Sequence, residues 1–172
     1  MNPLLTPIDF KTYKDLGKRI DEDKMKPIIL QAQEVDLRGF LGGTFYFDVM
    51  TNLEAESYQD LLSGSTFEHQ GVTYHQEGLK ALLADLFMSR FLDQINVNIT
   101  PFGATNKLST DSQPTDKASL RDASQGEKEM AAQKWEDIKT YLSINSAQFP
   151  KYNTGSSSSA TGERKISFRR IL

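Results

Sequence analysis

Cysteine is missing from all 172 residues, which excludes disulfides, thiolate zinc sites and cysteine nucleophiles. Long apolar runs are missing too, since none approaches the roughly 20 residues of a membrane-spanning helix. The opening MNPLLTPIDF lacks the basic start and long apolar stretch of a signal peptide. Together these absences predict a soluble, non-secreted protein with no membrane partner. Histidine is nearly absent, His69 and His75 being the only two. GATNK and GFLGG have neither the GxxxxGK[ST] nor the GxGxxG spacing that wraps a phosphate in backbone amides, and no GxSxG elbow occurs. The expectation is a non-enzyme with no cofactor, metal or catalytic residue. A small hydrolase whose acids meet only in space is a less favoured alternative.

What is present reads as one domain. A chain of 172 residues can bury a core without staples. Its net charge of −3 is uneven: from Gly162 on, Arg164, Lys165, Arg169 and Arg170 stand against Glu163 alone, leaving the body at −6. An acidic body is poorly suited to gripping nucleic acid.

Most of the chain carries helical spacing. TPIDF offers Thr6 as a cap, Pro7 at the first helical position and Asp9 for a capping box, with Ile8, Tyr13 and Leu16 on the buried side. Met25, Ile28, Ile29, Ala32 and Val35 form an amphipathic stripe, broken by Gly42-Gly43, after which Thr44 can cap a further helix. YQDLLSG ends at Gly64. The period then changes to alternation in STFEHQGVTYHQEG, a β-hairpin at about 66–75 centred on Gln70-Gly71. In that register Phe67 opposes Tyr74, and the two histidines point to opposite faces, which argues against a shared metal.

Leu79, Leu82, Leu83, Leu86, Phe87 and Phe91 make the next helix the most apolar, and so the centre of the core. Residues 96–116 read as a long polar loop around ITPFGATNK, with Ile99, Phe102, Asn106 and Lys107 as a possible subunit contact. A long helix from about Ser119 towards Ile144 uses Leu120, Ala123, Met130, Ala131, Trp135, Ile138 and Leu142 as its stripe. Glu127, Lys128, Lys134 and Lys139 are expected to face water. Gly126 weakens its first part by about 1 kcal/mol relative to alanine, predicting a late start or support from outside the domain. Pro150 is expected to close the body. The fold class is therefore mainly α: a compact helical bundle over residues 1–152 with one small β-hairpin.

Residues 153–172 read as a linker and an extended C-terminal arm. Glycine and serine lead into KISFRRIL, where apolar and basic residues alternate as in a strand with no partner nearby. Such a segment is expected to be disordered alone or to add to a sheet edge elsewhere. Arg164, Lys165, Ile166, Phe168, Arg169, Arg170, Ile171 and Leu172 are the partner-binding candidates.

The series TPIDFKTY, KMKPIILQAQEVDLRGFLGGTFYFDV, YQDLLSG, the hairpin joined to GLKALLADLFMSRFL, ITPFGATNK and YLSINSAQFPKY resembles a known pattern. It is similar to the small helical head-to-tail connector, or adaptor, proteins of tailed bacteriophages, especially the crAss-like phages of gut Bacteroides. The similarity covers roughly residues 6–152, most specifically LQAQEVDLRGFLG and GLKALLADLFMSRF. It implies a subunit made in the host cytoplasm and placed at the head–tail junction of the virion. Such subunits form a homo-oligomeric ring, expected as a dodecamer, that binds the portal protein and neighbouring tail or ring proteins. DNA passes through the channel without sequence-specific binding. The alternative is a non-enzymatic phage or host regulatory binding module.

Overall fold

In the computed structural model the described residues are 3–15, 22–94, 97–100, 103–106 and 117–155. Helix α1 (Pro7–Phe10) opens with the expected reciprocal cap. The Asp9 amide donates to Thr6 Oγ1 at 3.2 Å and the Thr6 amide donates to Asp9 Oδ2 at 3.3 Å. With only four residues it sustains no stripe: Ile8 is 68% exposed, and Phe10 is the side chain driven into the core, 4.5 Å edge-on to Phe87.

Helix α2 (Glu22–Gln31) does not continue as α-helix. Residues Ala32–Leu37 form a π-helical stretch, and α3 (Arg38–Leu41) follows. Bonds from i to i+5 put an extra residue into each turn. The buried series consequently passes from Met25, Ile29 and Ala32 to Leu37 and Leu41, while Val35, read from the sequence as core, is 56% exposed. The same rotation buries Gln33 completely; its Oε1 accepts from the Leu4 amide at 2.7 Å and anchors the N-terminal segment.

Gly42 turns the chain at a φ of 74° into α4 (Gly43–Thr51). Thr44 therefore already lies inside the first turn and is not the cap. Helix α5 (Glu56–Ser63) stops at Gly64 as expected. Strands β1 (Ser65–His69) and β2 (Val72–Gln76) pair antiparallel in the register set by Gln70-Gly71, both at positive φ. Phe67 and Tyr74 stack across the pair at 5.4 Å.

Helix α6 (Gly78–Gln94) is the core element, with all six of its expected apolar residues buried. It packs against α7 (Lys117–Ile144), α5, α2 and the π-helical stretch. Within the span read as a loop, β3 (Val97–Thr100) and β4 (Gly103–Asn106) form a second antiparallel hairpin. Asparagine, glycine and alanine favour strands weakly, which hid this pairing from a pattern reading.

Helix α7 starts neither late nor unsupported. Ser124 is buried against α6, and its hydroxyl donates to the Ser89 carbonyl at 3.1 Å, taking the place expected of the exposed Ala123. A Cβ on Gly126 would meet nothing within 4 Å. Gly126→Ala is therefore expected to stabilise the protein by about 1 kcal/mol, raising the melting temperature by about 2–4 °C. A lower melting temperature in a thermal scan would contradict an open position.

Pro150 is the first residue of α8 (Pro150–Gly155), a place where its missing N–H costs nothing. Phe149, just before it, is fully buried among Phe45, Tyr58 and Tyr141 at ring distances of 6.1, 5.3 and 6.0 Å.

Candidate interaction surface

Two groups of ionisable side chains are sunk into the body, and both tie helices together. Asp85 on α6 is 0% exposed between two ammonium groups, Lys14 Nζ at 2.8 Å and Lys134 Nζ at 3.0 Å. Lys14 also meets Glu127 at 2.7 Å, and Lys134 meets Glu77 at 2.9 Å. The side chains of Glu127 and Lys134 are only 15% and 18% exposed, against the expectation that they face water. They turn inward because Asp85 and the N-terminal Lys14 complete a charge-alternating chain that a single helix pattern does not reveal. The second group gathers on Asp48 of α4, which accepts from the Tyr58 hydroxyl, Lys151 Nζ and Asn52 Nδ2. Burial raises the Asp48 pKa, but these bonds outweigh it and hold the carboxyl below its ordinary range. Burial, then the bond to Asp48, pushes the Tyr58 hydroxyl well above its usual value. Through Lys151 this group fastens α8 to α4.

The open face lies on the other side of the π-helical stretch. Two adjoining hollows share the exposed Val35. One, of about 630 Å³, lies between Phe40, Leu86 and the Asp36–Arg90 pair. The other, of about 740 Å³, lies against Ile28, Glu34 and Gln94. Arg90 grips Asp36 with both Nε and Nη2, the latter at 2.8 Å, and so fixes the π-helical stretch to α6. Together the hollows, joined at Val35, make a groove lined by apolar Ile28, Phe40 and Leu86 and by charged side chains. Acids Asp23, Glu34, Asp36 and Asp93 outnumber bases Lys24, Arg90 and Lys128, a net −1.

The end of the described chain sits near this groove. The ring of Tyr152 on α8 lies 6.4 Å from Trp135, whose ring lies 5.6 Å from Phe40 in the groove wall. Trp135 and Tyr141 are buried core aromatics.

Of the sequence-predicted contact residues, Ile99 lies on β3 opposite Ala104, and Asn106 lies on β4 opposite Val97. Phe102 and Lys107, and the arm residues Arg164, Lys165, Ile166, Phe168, Arg169, Arg170, Ile171 and Leu172, lie outside the described residues. The groove was missed because its central residue, Val35, has the spacing of a core position. The histidines occupy opposite faces of the first hairpin, with His75 Nδ1 3.2 Å from Thr66 Oγ1. Among the described residues no group of three or more histidines and carboxylates could hold a metal ion. No described helix is long and apolar enough to cross a membrane.

A family model described as a family of unknown function (DUF6712) matches residues 37–162, well over half of the chain. The chain belongs to that family. No curated protein and no solved structure matches it.

Proposed function

We propose that this member of the DUF6712 family is a structural virion protein, one subunit of a head-to-tail connector ring. In this reading it binds the portal at the head–tail junction and extends the DNA channel towards the tail. The observation that carries the proposal is a groove, left open by the described residues and lined by apolar and charged side chains, near α8, in a protein whose tail alternates apolar and basic residues. Surface of this kind is completed by other polypeptide segments rather than by a small substrate. The body's charge of −6 supports a channel role, since it repels passing DNA phosphates instead of holding them. The resemblance of residues 6–152 to phage connectors supplies the assembly: a ring, expected as a dodecamer, with no catalytic step.

Because α8 runs to Gly155, the arm is best removed by ending the chain there. The shortened protein is expected to keep its helical circular dichroism and to bind assembled portal at least about tenfold more weakly in co-sedimentation, about 1.4 kcal/mol. Undiminished attachment would refute the arm's role. Failure of the full chain to bind portal at all would refute the connector reading itself.

A further inference from the structure

An amphipathic segment that follows a glycine- and serine-rich linker is a hazard to its own protein. If the receiving surface is present on every copy, head-to-tail contacts assemble the free protein prematurely, into a ring where the rotation closes and an open chain where it does not, unless one of the two surfaces is covered. The groove and the tail have the means to cover each other. At about 3.3 Å per residue, residues 156–164 reach roughly 30 Å. The described chain ends on α8, whose Tyr152 ring lies 6.4 Å from Trp135, itself 5.6 Å from Phe40 in the groove lining. A tether of this length gives an effective local concentration in the millimolar range, which a second copy in dilute solution cannot match.

The chemistry also fits. The groove lining offers Val35, 56% exposed, with Phe40 and Ile28 partly covered. The tail brings Ile166, Phe168, Ile171 and Leu172. Acids outnumber bases on the groove's banks, and the exposed Glu34 stands beside Val35. The tail carries Lys165, Arg169 and Arg170 at positions between its apolar residues.

We propose that in the free chain residues 165–172 occupy the same molecule's groove over Val35, and that assembly requires their release. The arm is then a latch. It screens the groove until a partner with a better site for the arm, or for the groove, displaces it. The idea rests on the assembly reading only in treating the arm as a docking segment, and its test uses no portal.

The absence of cysteine makes the test direct. Val35→Cys places one thiol at the exposed position where the two hollows join, and Val72→Cys, at a site 52% exposed on the hairpin, serves as the control. Each thiol is titrated with a maleimide in the full chain and in a chain ending at Gly155, which retains every described contact. The thiol at position 35 is expected to react about tenfold more slowly in the full chain, as a closed-to-open ratio of about ten requires. That protection should not change with dilution, and the position 72 thiol should react equally in both chains. Equal rates at position 35 would overturn the proposal. Protection that vanishes on dilution would overturn it in favour of an arm from a second copy. A loss of portal binding with the latch intact would sink only the connector reading.

Discussion

Asp85→Leu is expected to cost about 3–5 kcal/mol of stability, read as a fall in the urea midpoint at unchanged slope. The carboxylate is 0% exposed, and the two ammonium groups it separates belong to side chains only 17% and 18% exposed. Removing it leaves Lys14 and Lys134 facing each other across an apolar patch, each with one remaining acid, Glu127 and Glu77 respectively. Most of the loss comes from stranding charge rather than from losing attraction. Replacing the four least exposed members together, with methionine at both lysines, leucine at position 85 and glutamine at position 127, should therefore recover most of it. A single-variant loss below about 1 kcal/mol would show that solvent reaches the cluster, as at ordinary surface pairs.

The same network predicts a pH signature. Burial lowers the Lys14 pKa, but bonds and charges from Asp85 and Glu127 outweigh it and raise the value above the ordinary 10.5. A raised folded-state value means this stabilisation is fully present below pH 10.5 and is lost as pH climbs through the folded-state value. In Asp85→Leu the alkaline decline should begin at lower pH.

Gly78→Ala is the second large effect. The first hairpin enters at Gly64 and leaves at Gly78, and the two backbones cross there almost in contact. A Cβ on Gly78 would lie 2.5 Å from the Gly64 nitrogen and 2.6 Å from the Leu62 carbonyl oxygen. Gly78 also holds a φ of 88°, a conformation that costs a side-chain-bearing residue about 1–3 kcal/mol by itself. Strain and displaced backbone together should reach at least about 3 kcal/mol, lowering the melting temperature by about 6–12 °C. Gly71→Ala isolates the conformational part, because Gly71 has a φ of 76° but nothing within 4 Å of a new Cβ. It should cost clearly less; equal losses would mean that the crossing is not tight.

Particular stretches show why some features were legible in the sequence. Gln70-Gly71 dictates the hairpin register because the turn needs two residues at positive φ, and alternation then decides which side chains face each other. The Thr6–Asp9 cap and the apolar stripe of α6 were equally plain, since both are set within one or two turns. The stripe through Val35 misled because a pattern of 3.6 presumes an unbroken α-helix, and nothing in AQEVDL announces i to i+5 bonding. The groove beside Val35 stayed hidden for the same reason.

Residue pattern and composition were enough to specify a helical body with one firmly registered hairpin, no thiol chemistry, and a basic, alternating tail. These depend on interactions between near neighbours or on composition. Only the tertiary structure placed Lys14, Asp85, Glu127 and Lys134 in one buried chain, turned Val35 outward over a groove, and brought α8 beside it. Those features join residues up to 113 positions apart, and chain spacing carries no information about which distant charges or surfaces will meet.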